Sequence, residues 1–60
     1  MNCIIIDDDS VSRKISADFS EEIPDLELLN EFGKIEEAIP FLNANPVDLI
    51  FLDVELPGLS

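Results

Sequence analysis

The chain has 60 residues, with 14 acids against three bases for a net charge of -11, and 47% of it is apolar. That is too hydrophobic for disorder, yet a chain this short buries only about 60% of its unfolded surface, so one small domain of marginal stability is expected. The charge works against nucleic acid or anionic membrane as a direct partner, no run approaches the ~20 apolar residues of a membrane span, and acids arrive too early for a secretory signal.

In chain order, Cys3 to Ile6 form an apolar run that stops at Asp7, Asp8 and Asp9, the pattern of a strand buried on both faces. Cys3 lies inside that run and reads as a small buried hydrophobe in a reducing, cytoplasmic setting. Ser10 is placed to cap a helix running to about Ser20, with Val11, Ile15, Phe19 and Ile23 along one side and Arg13 and Lys14 on the other. Pro24 and Asp25 end the helical region. Leu26, Leu28 and Phe32 then alternate with Glu27 and Glu31 as in an edge strand, although Leu29 and Asn30 blur the pattern.

Gly33 breaks the run, and Ile35, Ala38, Ile39 and Leu42 follow at the spacing of a second amphipathic helix. Pro40 is awkward there, because proline removes one helical hydrogen bond and crowds the preceding turn at a cost of up to ~3 kcal/mol. Asn43 to Pro46 read as a turn, and Leu49 to Leu52 as a third buried strand that ends in Asp53. Strand, helix, strand, helix, strand is the signature of parallel βαβ units. With right-handed crossovers and helices on opposite faces, the strand order is 2-1-3, an α/β doubly wound sheet.

That order makes the first and third strands neighbours and brings their terminal acids to one end of the sheet, where open α/β sheets bind ligands. Converging carboxylates stay ionised when a cation offsets their repulsion, and Mg²⁺, which keeps several waters, suits a site with few protein carboxylates. The chain has no histidine, so the commonest catalytic base and zinc ligand is absent. The unpaired edge of the apolar third strand points to self-association of the isolated chain through Leu49 to Leu52.

The run Ile4-Ile5-Ile6-Asp7-Asp8-Asp9, followed by Asp53-Val54-Glu55-Leu56-Pro57-Gly58 after a buried strand, resembles the receiver domain of bacterial two-component response regulators. Residues 46 to 58 are most similar in wording to receivers that carry LytTR-type DNA-binding output domains. The resemblance implies a flavodoxin-like (CheY-like) fold, of which residues 1–60 would be the N-terminal part, truncated before strands four and five. It implies that Asp53 accepts a phosphoryl group from a sensor histidine kinase partner. Asp8 and Asp53 would ligate Mg²⁺ directly, Glu55 through its backbone carbonyl, and Asp7 through bound water. Transcription would be controlled through a C-terminal output domain, by a signalling domain that is no enzyme beyond assisting its own phosphorylation.

A receiver also needs a hydroxyl residue after its fourth strand and a lysine after its fifth. Lys34 follows the second strand on the wrong side of the sheet, and Ser60 comes too early to serve. One rival is a receiver-like interaction module without phosphoryl chemistry. Another is a haloacid dehalogenase-type phosphatase fragment, for which Asp7-Asp8-Asp9 supplies Asp-x-Asp but lacks the Gly-Thr continuation. An EF-hand loop from Asp7 would need glycine at Ser12 and glutamate at Asp18.

Overall fold

The computed structural model describes residues 1–54, so Glu55, Pro57, Gly58 and Ser60 lie outside the described residues. Strand β1 (Asn2–Asp7), helix α1 (Ser10–Glu21), strand β2 (Glu27–Phe32), helix α2 (Ile35–Ala44) and strand β3 (Leu49–Asp53) follow in that order. The sheet is parallel throughout with the order β2-β1-β3, so the expected partial flavodoxin-like α/β arrangement is what the chain forms. No described helix is long and apolar enough to cross a membrane.

Strand β1 is central and, among the described residues, is the strand buried on both faces, with Cys3, Ile4, Ile5 and Ile6 all covered. Strand β3 is equally apolar but, lying at an edge, leaves Leu49, Ile50 and Leu52 exposed where the sequence predicts a buried strand. Alternation sends Ile4 and Ile6 to one side, where they form the core with Ala38 of α2 and with the half-buried Leu29, Phe32, Ile35, Phe41, Leu42, Val47 and Val54. Phe32 and Phe41 add a tilted ring contact with centroids 5.6 Å apart. Cys3 and Ile5 fall on the other side, under α1, and burial pushes the Cys3 thiol up from its ordinary value, as for an unreactive buried thiol.

The ambiguity at Leu29 and Asn30 has a structural cause. Pairing runs Cys3 with Leu28 and then Ile4 with Asn30, so β2 carries one extra residue at this point. That bulge resets the alternation. Leu28 stays in register with Cys3, while Leu29 and Phe32 join the Ile4 and Ile6 core.

Helix α1 has the expected span but not the expected facing. Val11, Ile15 and Phe19 are 66%, 64% and 64% exposed among the described residues, whereas Ser12, Arg13, Ser16 and Ala17 are half-buried and Ser20 is buried. Small side chains let the helix lie close to the sheet, and the Ser20 hydroxyl is satisfied by donating to the Ala17 carbonyl at 2.7 Å. The helix is followed by a turn with Pro24 at its second position and Asp25 at φ 67°, the pattern of a type II turn in which aspartate tolerates the left-handed region.

Helix α2 forms despite Pro40. The carbonyl four residues earlier belongs to Glu36, which is exposed, so water can replace the missing amide donor. Its N-cap, Lys34, makes no side-chain capping bond, and Glu36 and Glu37 in the first turn offset the positive end of the helix dipole instead. The helix runs on to Ala44 rather than turning at Asn43, because the Asn45 backbone amide and side-chain amide both donate to the Phe41 carbonyl, at 2.9 and 3.0 Å.

A clamp fixes where β3 begins. The Asn2 amide donates to the Asp48 carboxylate at 2.9 Å, the Asp48 amide donates to the Asn2 side-chain oxygen at 2.8 Å, and Asn2 Nδ2 donates to the Pro46 carbonyl at 3.0 Å. These bonds hold the entry to β3 against the start of β1. Asn2→Ala removes two of the three while leaving its backbone amide in place, and a loss of about 1–2 kcal/mol is expected in a denaturant titration of the intact protein. An unchanged midpoint would mean that the clamp adds nothing to the strand pairing.

Candidate functional site

Starting from the clamp, β3 runs beside β1 with Cys3 opposite Leu49, Ile4 opposite Ile50, Ile5 opposite Phe51, Ile6 opposite Leu52 and Asp7 opposite Asp53. The register therefore places two of the expected site residues side by side at the C-terminal edge, on strands about 4.8 Å apart. Both fall on the face shared with Cys3 and Ile5. Strand β3 has β1 on one side only among the described residues, and Leu49, Ile50 and Leu52 are exposed.

The three consecutive aspartates take three different positions. Asp7 is 2% exposed, and its Oδ1 accepts the Asp9 amide at 2.9 Å, which folds the chain into a tight turn at the strand end. Asp8, the middle of that turn, is exposed. Asp9, rather than Ser10, is the N-cap of α1: its carboxylate accepts from the amides of Val11 at 3.4 Å and Ser12 at 3.3 Å. The cap thereby occupies amides that would otherwise be available to an anion.

Arg13 is the residue that sequence reasoning misplaced. It does not project away from the sheet but reaches over the strand ends, donating from Nη1 to the Asp7 carbonyl at 2.7 Å, with Nε 3.9 Å from a Glu31 carboxylate oxygen. Nothing in helical periodicity singles it out, since the apolar stripe suggested the opposite facing. Lys14 lies on the exposed side near Asp18 at 3.6 Å, and Lys34 stands beyond β2, across β1 from Asp53.

Among the described residues, no group of three or more cysteine, histidine, aspartate or glutamate side chains is gathered as a metal cage. What the fold does bring together is the Asp7 and Asp53 pair, with exposed Asp8 adjoining it in the chain. All the donors are hard carboxylate oxygens. That set fits Mg²⁺, which takes one or two protein carboxylates and otherwise water or phosphate oxygens, and it does not suit soft transition metals.

Among curated proteins, an uncharacterized response regulatory protein of Shewanella oneidensis is 28% identical to the chain over 60 residues, which is all of this chain and 25% of that protein. The chain thus spans about a quarter of the length of the relative it matches. No family model matches it, and no solved structure matches it. The similarity supports a response regulator kinship for a chain whose acid-ended strands already resemble a receiver.

The division of labour among the acids has a direct consequence. Asp9→Ala leaves α1 without its side-chain cap and is expected to cost about 0.5–1 kcal/mol, the lower part of the capping range because both bonds are long. Asp9→Ser should retain most of that stability. Denaturant midpoints of the two variants check it, and equal losses would place the cap elsewhere.

Proposed function

We propose that the chain is the phosphoacceptor part of a response regulator receiver, with Asp53 the residue that takes the phosphoryl group. One observation carries the reading: the register that sets exposed Asp53 beside Asp7, at the ligand-binding edge of a parallel sheet. Similarity to a response regulatory protein supports the same class.

An Asp53 carboxylate oxygen attacks phosphorus in line, the bond from phosphorus to the leaving group of the donor breaks, and an acyl phosphate remains on Asp53. Mg²⁺, when bound, would neutralise charge on the phosphoryl oxygens. The chain's own contribution is placement. Asp8 and Asp53 would hold the cation by their carboxylates, and the receiver resemblance would add Asp7 through bound water and Glu55 through its backbone carbonyl. A sensor histidine kinase is the donor, and a LytTR-type output domain controlling transcription is the reading that residues 46 to 58 favour.

A partner-docking module without phosphoryl chemistry is the second reading. It would not need a carboxylate at position 53. Intact protein incubated with a small phosphodonor and Mg²⁺ is expected to gain the mass of one phosphoryl group, and to lose that gain in Asp53→Asn or when the metal is chelated. Undiminished labelling of Asp53→Asn would overturn the assignment, and no labelling of the wild type would favour the docking module.

A further inference from the structure

Arg13 carries its charge to the acid-rich edge of the sheet, near Glu31 and the Asp7 main chain. A fixed cation beside a carboxylate pair competes with any divalent ion that the pair binds, so its charge alone should weaken the site. Its geometry gives it a different task. The guanidinium is aimed at the main chain: Nη1 donates to the Asp7 carbonyl at 2.7 Å, a short charge-assisted bond. The side chain is only 26% exposed, and its guanidinium passes close to Gly33, where a Cβ would lie in ordinary contact with Nη1 at 3.5 Å. Glu31, at 3.9 Å and 40% exposed, is the looser of its two partners.

The bonded carbonyl belongs to the residue whose own side chain holds the Asp9 amide at 2.9 Å. Asp7 is therefore fixed twice, by its carboxylate to the turn that follows and by its carbonyl to the first turns of α1. Asp8 lies between these two anchors and has neither bond to hold it.

We propose that Arg13 is a positioning residue for the cation site: by anchoring the Asp7 carbonyl it fixes the turn that presents Asp8 next to Asp53, and so strengthens divalent binding despite its own positive charge. The inference rests on the metal reading of the site. Positioning and charge predict opposite signs for the same substitution, which makes the question decidable.

Arg13→Met keeps the apolar stem and removes the donors, while Arg13→Lys keeps one donor for the carbonyl. Two readouts on the intact protein separate the possibilities: Mg²⁺ affinity by titration, and hydrogen exchange of the Asp9 amide without metal. Arg13→Met is expected to weaken Mg²⁺ binding by about tenfold, the size of one charge-assisted hydrogen bond, and to speed Asp9 exchange by a comparable factor. Arg13→Lys should bring both to within about threefold of wild type, since the contact uses one donor. Unchanged exchange in β3 amides of the variants confirms that the fold survives.

Equal or tighter Mg²⁺ binding by Arg13→Met, with Asp9 exchange unaltered, overturns the proposal and leaves only the charge effect. A wild type that takes up no Mg²⁺ overturns the metal reading and with it any role of Arg13 toward a cation. Asp9 exchange then still shows whether Arg13 orders the turn.

Discussion

The parallel pairing of β1 with β3, from Cys3 opposite Leu49 to Asp7 opposite Asp53, is the constraint on which the site depends. A shift of one residue would move every β3 side chain to the other face and part the two aspartates. The Asn2 and Asp48 clamp fixes the start of the pairing, and burial of Ile4, Ile5 and Ile6 fixes its middle. The acids at the far end take their places as a consequence. Neither would face the other if β1 were not apolar on both sides, because only a strand covered by helices on both faces can sit at the centre of this sheet.

Within that frame, a run of three identical residues is divided by geometry into three roles. Asp7 is buried and closes the turn, the exposed Asp9 caps the helix, and Asp8, also exposed, is the one of the three whose side chain makes no hydrogen bond among the described residues. Charge density on so acidic a chain does not by itself make a cation site. Two of the three carboxylates are already engaged in holding the backbone, which leaves the third accessible next in the chain to the Asp7 and Asp53 pair. Arg13 extends the same logic, since it acts on the main chain of the acid turn rather than on a carboxylate there.

The first and third strands were legible because an apolar run of four ending in acid has few other uses, and the second from an alternation that the bulge at Leu29 and Asn30 blurs. Helix spans were legible from periodicity, even across Pro40, where the lost hydrogen bond falls at Glu36, an exposed residue open to water. Facing was not. Periodicity marks an apolar stripe but cannot say that small residues at Ser12, Ser16 and Ser20 pack closer to the sheet than Val11, Ile15 and Phe19. Asp9 could have been named beside Ser10 as a cap candidate from composition alone, since both residue types cap well. The bonds of Arg13 and Asn2 could not, because each joins a side chain to main chain or side chain brought near only by the fold. The candidate pair Asp7 and Asp53 was visible as two strand ends; their alignment needed the register.

The central claim is that the edge holding Asp7, Asp8 and Asp53 is where a divalent ion binds, in preference to other acids of the chain. Mn²⁺ in place of Mg²⁺ tests it most directly, by paramagnetic broadening of backbone amide resonances in the intact protein at substoichiometric metal. The account predicts that the amides of Asp8 and Asp53 broaden first, with Asp7 and Asp9 close behind, while Glu21, Glu22, Glu36 and Glu37 keep their line widths. Broadening that is uniform over all acidic residues, or strongest at Glu36 and Glu37, would contradict it.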